Sequence, residues 1–297
     1  MSAHPAMDGA AGPHGDVVGR VVGLYRYPVK SMGGERLEAA RITARGMEGD
    51  RAGALVDRET GRVVSAKRPR LWGAVYGLSA SFDPGNRDNR ESRESRENES
   101  AEIRVRFEDG TTLSSAARGH LETRLSALLG RRVAFATEAA GSAMCEYHWP
   151  DMEGLVQDGR TYRDEITEWE LPPGTFFDSS GLHALTTASL DHLRGLAPGS
   201  DFHVGRFRPN LVIEPVAGAR GFVENDWVGG TLRIGEARLR VTKPCMRCVM
   251  VTLPLGDLPK DPRVLRAAFD HNDGNVGVKC EVDGPGAVRV GDEVRLG

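Results

Sequence analysis

Along this chain, apolar and polar residues alternate over short stretches more often than they recur at helical spacing. "VVGLYRYPV", "AGALVDRETGRVVSA" and "IRVRFEDGTTLSS" put their apolar positions on a period of two, broken by Asp-Gly and Thr-Gly turns, and read as strands. "ARGHLETRLSALLG" reads as a short helix ending at Gly130, a C-cap residue, and "RRVAFAT" returns to a strand. Further on, "LHALTTASLDHLRGL" is a strand running into a helix with Thr187 as N-cap, and "RFRPNLVIEP" has an apolar strand core. "GGTLRIGEARLRVTKPC" folds back at Ile234-Gly235-Glu236, "PRVLRAAFD" is a short helix, and "GAVRVGDEVRL" is a last strand pair. Strands outnumber helices in both halves. The pattern predicts a mainly β protein with peripheral helices (α+β), built on a barrel or sandwich core.

Two segments break the alternation. Residues 83–100, "DPGNRDNRESRESRENES", contain nothing that can pack a core and read as a disordered spacer within a hairpin connection, where added length costs little entropy. Residues 141–177 are aromatic, acidic and closed by Pro172 and Pro173, and read as a loop crossing a cleft or joining two halves that shapes a substrate pocket. With residues 1–17 a frayed Gly/Pro-rich start, the expected organisation is one β-rich domain over 18–140, a connection over 141–177 and a second domain over 178–297.

Composition narrows the function. With 297 residues, 39% of them hydrophobic, the chain can bury a sizeable core, and a net charge of -3 gives no broad electrostatic reason to bind nucleic acid or an anionic membrane. No apolar run is long enough to span a bilayer, and the first residues have neither the basic start nor the apolar block of a secretory signal. Four scattered cysteines do not make a disulfide framework, so a reducing cytoplasmic location is expected.

The densest chemistry is "KPCMRCVMV", residues 243–251. A thioredoxin-like dithiol would need the Cys-x-x-Cys at a helix start in a βαβ unit, whereas β-like sequence leads in and out here. A structural zinc site would need a second close pair of Cys or His, and none is present. Two buried core thiols remain open as a reading. Arg247 adds a guanidinium that can lower a thiol pKa and grip phosphate, which suits one thiolate on a metal whose other ligands come from a phosphorylated organic cofactor. Basic residues for that phosphate occur in "YPVKS" (Lys30, Ser31), "GMEGDR" (Arg51) and "RFRPN" (Arg206, Arg208, Asn210).

Taken together, "YPVKS", "GMEGDR", "FRPN", "CMRC" followed by Thr252, and the terminal "GAVRVGDEVRL" resemble the MOSC family with its preceding β-barrel N-terminal domain, as in the mitochondrial amidoxime-reducing component and the C-terminal domain of molybdenum cofactor sulfurases. The resemblance implies a molybdenum cofactor held between two β-rich modules, with Cys248 as the metal thiolate. It places Lys30, Ser31, Arg51, Arg208, Asn210 and Arg247 around the cofactor, with Thr187 and Ser189 as hydroxyl contacts. Met246 stands where the mitochondrial proteins have a serine, so only its backbone N–H is left to donate. Cys245 becomes a supporting thiol, and Cys145 and Cys280 inert ones. The implied reaction is the two-electron reduction of small N-hydroxylated compounds, with Asp151 or Glu153 as a candidate proton source. Without an Fe–S ligand set, electrons come from a separate reductase or ferredoxin. The family also suggests pyridoxal phosphate binding, and leaves two alternatives: a cofactor or sulfur carrier with a persulfide on Cys248, and a non-catalytic protein holding another phosphorylated ligand.

Overall fold

The computed structural model describes residues 15–85, 101–150, 156–157, 160–161 and 164–297. The frayed start before Gly15, the spacer beyond Gly85, and Asp151 and Glu153 lie outside the described residues.

Seven strands close a barrel: β1 (Asp16–Arg26), β2 (Leu182–Thr186), β3 (Leu211–Pro215), β4 (Thr231–Ile234), β5 (Ala237–Met246), β6 (Asn275–Gly284) and β7 (Glu293–Leu296). Their order is β3-β2-β6-β5-β4-β7-β1, and pairing of β1 with β3 closes the ring. Only β2 and β3 run parallel, and helix α2 (Thr187–Leu196) lies in the connection between them. Apolar positions on period two point inward, so Val21, Leu24, Ile213, Leu232, Leu239, Val241, Val278 and Val294 fill the interior. Each contributes roughly 1.5–3 kcal/mol by leaving water.

Strand β1 comes from the start of the chain yet completes a barrel whose other strands all follow residue 181. It bends between its neighbours through register shifts at Val17/Gly19 and Val21/Gly23. Gly19 allows the close approach, since a Cβ there would lie 2.5 Å from the Glu214 carbonyl oxygen.

A second core, with Val29, Leu55, Trp72, Val75, Ile103, Val105 and Phe135, belongs to the N-terminal module. It collects the strands at Ser79–Asp83, Glu102–Arg106 and Thr112–Ser114, the pair Ala54–Asp57 and Val133–Ala136, and helix α1 (Arg118–Leu129). Gly130 ends α1 in the left-handed conformation, as its position in the sequence suggests.

Three local expectations change. The N-cap of α2 is Thr186 and not Thr187, because the Thr186 hydroxyl oxygen accepts the Ser189 N–H at 3.2 Å. The segment read as a loop contains an antiparallel hairpin, Met144–Trp149 paired with Glu165–Glu170. In "GAVRVGDEVRL" the two strands are not partners: Gly286–Arg289 pairs with Ala39–Thr43, and β7 pairs with β1 and β4.

Candidate functional site

The end of β5, the turn after Phe207 and the residues preceding β2 face the N-terminal module and the hairpin across a cleft of about 260 Å³. The barrel side supplies His183, Arg208, Asn210, Cys245, Met246, Arg247 and Cys248, and the opposite side Arg51, Lys67, Tyr147, Trp149 and Trp169. Cys245 still belongs to β5, whose register against β6 slips between Pro244 and Met246, while Cys248 sits just past the strand before the single turn Val249–Thr252.

The two thiols differ in surroundings. Cys248 is half-buried and open to the cleft. Cys245 is 1% exposed, and Arg247 Nη1 donates to its Sγ at 2.9 Å. Burial by itself would raise the Cys245 pKa, but His183, Lys279 and Arg247 together hold it well below the usual thiol range. Burial also lowers the pKa of His183, and Arg247 is the cation in direct hydrogen-bond contact with the Cys245 Sγ. Burial pushes Cys280 up to about 12 and raises Cys145, as expected of inert thiols.

Backbone strain concentrates at the motifs. Among the described residues, five other than glycine have positive φ, and three of them are Ser31 (69°), Arg51 (48°) and Arg208 (54°). Such conformations persist only where the surrounding structure imposes them. At "GMEGDR" the turn requires Gly49, whose φ is 77° and where a Cβ would lie 2.4 Å from the Phe82 ring. Arg51 and Arg208 then both reach the Tyr27 ring, 4.8 and 4.3 Å from its centroid, and Arg208 donates to the Met32 carbonyl. Arg247 donates to the Phe207 carbonyl at 2.7 Å, while its buried Nε has no partner.

Other motif residues serve from behind the wall. Lys30 is buried and donates to Asp178 at 2.6 Å and to the Phe176 carbonyl at 2.9 Å. The Ser31 hydroxyl accepts the Ala66 N–H at 3.0 Å. Neither residue lines the cleft. Asn210 does, but its amide is engaged with backbone, accepting from His183 N–H at 3.1 Å and donating to the Tyr25 carbonyl at 3.2 Å. Thr187 and Ser189 do not reach the cleft, because α2 points them elsewhere: the Ser189 hydroxyl bonds the buried Glu224 at 2.7 Å. Arg206 is fully buried, and its guanidinium donates to the carbonyls of Val251 (3.3 Å), Leu253 (2.7 Å) and Pro259 (2.7 Å). That residue pins the turn after Cys248 instead of offering a phosphate grip.

The sequence reading did not single out Lys67, Asp178 or His183, and it had Tyr147, Trp149 and Trp169 only as part of the aromatic 141–177 segment expected to shape a substrate pocket. Lys67 sits one residue before an Arg-Pro-Arg run and looks like solvated charge in sequence. In the fold it is buried, pairs with Asp178 at 2.8 Å and bonds the Tyr147 hydroxyl. Asp178 is the one carboxylate among the described residues lining the cleft, and Lys30 and Lys67 hold its pKa well below the usual range despite a burial effect of opposite sign. With Asp178 matched by two lysines and Arg51 paired with the buried Asp50 at 2.5 Å, Arg208, Arg247 and Lys279 leave the cleft positive, which suits an anionic ligand.

Comparison with known proteins follows the same division. The MOSC domain model matches residues 172–295, and the MOSC N-terminal beta barrel domain model matches residues 18–89. No curated protein sequence matches significantly. Among solved structures, YUAD protein (APC1665) from Bacillus subtilis is 13% identical with a TM-score of 0.43, covering 94% of this chain and 95% of that one. YiiM from Geobacillus stearothermophilus is 22% identical with a TM-score of 0.29 over 40% of this chain and 54% of its own. YiiM from Escherichia coli is 20% identical with a TM-score of 0.31 over 40% and 55%. The chain therefore spans about half the length of the YiiM chains it matches. The two domain models contain the strained turns at Ser31, Arg51 and Arg208 and both thiols of the cleft, and on those matches the chain belongs to the MOSC-domain family, which is linked to the molybdenum cofactor, with a MOSC N-terminal β-barrel domain ahead of the MOSC domain.

Proposed function

We propose that this protein holds a molybdenum cofactor in the cleft and reduces small N-hydroxylated compounds such as amidoximes, hydroxylamines or N-oxides, with electrons from a separate reductase or ferredoxin. The observation that carries this reading is the half-buried Cys248 thiol beside guanidinium groups that the cleft's own carboxylate does not neutralise. Among the described residues no group of three or more His, Cys, Asp or Glu is placed to hold a metal ion. A single thiolate with phosphate-gripping cations fits a metal whose other ligands arrive with an organic cofactor, and the unpartnered Arg247 Nε is a donor awaiting an acceptor.

When bound, the cofactor supplies a Lewis-acidic, two-electron redox centre. Cys248 contributes the protein thiolate, and Arg51, Arg208 and Arg247 bind the phosphate and polar edges. The Cys245 thiolate, locked onto Arg247, fixes that guanidinium's orientation. Reducing an N–OH group to N–H releases water and consumes two electrons and two protons. Lys67 Nζ, held at the cleft wall between the Tyr147 hydroxyl and Asp178 Oδ2, is placed to donate a hydrogen bond to the leaving oxygen, and the two protons come from solvent.

Metal analysis of protein made in a cofactor-producing host is the first test, with stoichiometric molybdenum expected and its loss in Cys248→Ala. Benzamidoxime reduction with an artificial electron donor follows. A sulfur- or cofactor-transfer role is the second reading, favoured by two free thiols on one cleft wall with Cys245 held as thiolate. Holoprotein that is inert toward benzamidoxime while a persulfide forms on Cys248 decides for that role.

A further inference from the structure

The hairpin Met144–Trp149/Glu165–Glu170 lies between the two segments the domain models match and carries three aromatic side chains of the cleft. Tyr147 is directly opposite Thr167, and Cys145 opposite Trp169, so strand alternation puts Cys145, Tyr147, Trp149, Thr167 and Trp169 on one face. Cys145 is buried at its base, and the three rings stand at the cleft.

Their polar atoms are already engaged. Trp149 Nε1 donates to Thr167 Oγ1 at 2.7 Å, and Trp169 Nε1 donates to the same oxygen at 3.0 Å. One hydroxyl thus satisfies both indoles and fixes both ring planes. Between them Tyr147 stacks on Trp149 (6.4 Å, 25°) and tilts against Trp169 (5.6 Å, 45°), its hydroxyl 3.1 Å from Asp178. Both indole N–H groups are bonded within the hairpin, and the Tyr147 hydroxyl and ring are held by Asp178 and Lys67, so the ring surface left to a ligand is that of Trp169, which remains 44% exposed. A pre-oriented aromatic face opening onto a cation-lined cleft is a stacking site, because ring–ring contact needs no hydrogen bond and loses little side-chain entropy when the rings are already fixed.

We infer that Trp169, backed by Tyr147 and Trp149, forms a shelf that stacks the flat, uncharged aromatic body of the substrate at the cleft mouth, with Thr167 as the positioning residue for both indoles. The inference rests on the reductase reading for the fate of the substrate's N–O group. An uncharged ring is specified because Arg208, Arg247 and Lys279 repel a cation and draw an anion past the shelf to themselves.

The test uses molybdenum-loaded protein with benzamidoxime and acetamidoxime, which share the reactive group and differ in the ring. Equilibrium dialysis without an electron donor measures binding, and steady-state reduction measures KM and kcat. In the wild type benzamidoxime binds at least tenfold more tightly. Trp169→Leu raises its Kd and KM about tenfold, with kcat, acetamidoxime KM and molybdenum content unchanged. Thr167→Val raises benzamidoxime KM severalfold at unchanged melting temperature, and Thr167→Ser restores it. Equal binding of the two compounds, no measurable binding of benzamidoxime, or Trp169→Leu acting on both alike overturns the shelf. Loss of molybdenum in Trp169→Leu overturns it too, by assigning the rings to the cofactor. If benzamidoxime binds selectively through Trp169 and neither compound is reduced, the shelf stands and the reductase reading falls.

Discussion

The two walls of the cleft are built on different principles. The barrel wall carries thiols and guanidiniums on a closed ring of strands, and its polar side chains are held by backbone carbonyls: Arg247 by Phe207, Arg208 by Met32, Arg206 by three at once. The opposite wall at the hairpin carries aromatic rings on a two-stranded arm, a unit with little stability of its own. The arm is held to the N-terminal module by the Val63 N–H on the Met144 carbonyl and the His148 N–H on the Lys67 carbonyl, both at 2.8 Å, by Cys145 buried against Ala54 and Val63, and by ion pairs of Arg62 and Arg68 with Glu146 and Arg62 with Glu168. The rigid wall holds its cations on main-chain carbonyls, and the hairpin wall leaves the ring of Trp169 44% exposed.

This contrast can be broken from either side. The largest effect is expected from Cys248→Ala on the rigid wall: molybdenum content and metal-dependent activity are lost, while circular dichroism stays native. Next is Arg206→Met, which leaves three carbonyls without their donor beside the turn that follows Cys248. At about 1 kcal/mol or more per lost bond, stability falls by roughly 3 kcal/mol. At about 2–4 °C per kcal/mol, thermal unfolding shifts down by about 6–12 °C.

Asp178→Asn probes the junction of the two walls. Lys30 and Lys67 depress the Asp178 pKa in the folded state, so its contribution is complete above the ordinary carboxylate value of about 3.9 and is lost as pH falls through the lower folded value. The wild type therefore loses this stability below about pH 4, and the variant lacks that acid limb in denaturant unfolding. The variant is also less stable at neutral pH, where Lys30 keeps only the Phe176 carbonyl. The smallest effect belongs to Cys245→Ser, which keeps the shape but removes the thiolate on Arg247. Activity falls a few-fold with molybdenum retained, in contrast to Cys248→Ala.

The cation and thiol positions of the cleft were largely legible in the sequence, and the hairpin was legible only as an aromatic segment beside a pocket. Arg51, Arg208, Arg247 and Cys248 meet in the cleft because each sits in a short motif whose turn chemistry is local, as Gly49 shows beside Arg51. Lys30 and Ser31 belong to the same kind of motif but brace the wall from behind, a distinction of side-chain direction that no spacing encodes. Thr187 and Ser189 failed as cofactor contacts because the α2 cap falls one residue earlier and turns Ser189 toward Glu224. In the hairpin, "MCEYHW" and "EITEWE" pair across some fifteen intervening residues, and acidic residues on the outer face hid the aromatic side. Lys67 was not singled out because its partner Asp178 lies more than a hundred positions away.

The sequence by itself determined the strand-rich class, the turns and caps set by Gly130 and Gly235, and the chemical types at the site, because alternation, left-handed turns and thiol or guanidinium chemistry are properties of a few neighbouring residues. Only the tertiary structure decided that β1 closes a barrel made otherwise from the far half of the chain, that Cys245 is buried against Arg247 and Cys248 half-buried at the cleft, and that one Thr167 hydroxyl aligns two tryptophans at the same cleft. Those outcomes depend on which strands pair at long range and on which charges burial brings together, and no local pattern carries that information.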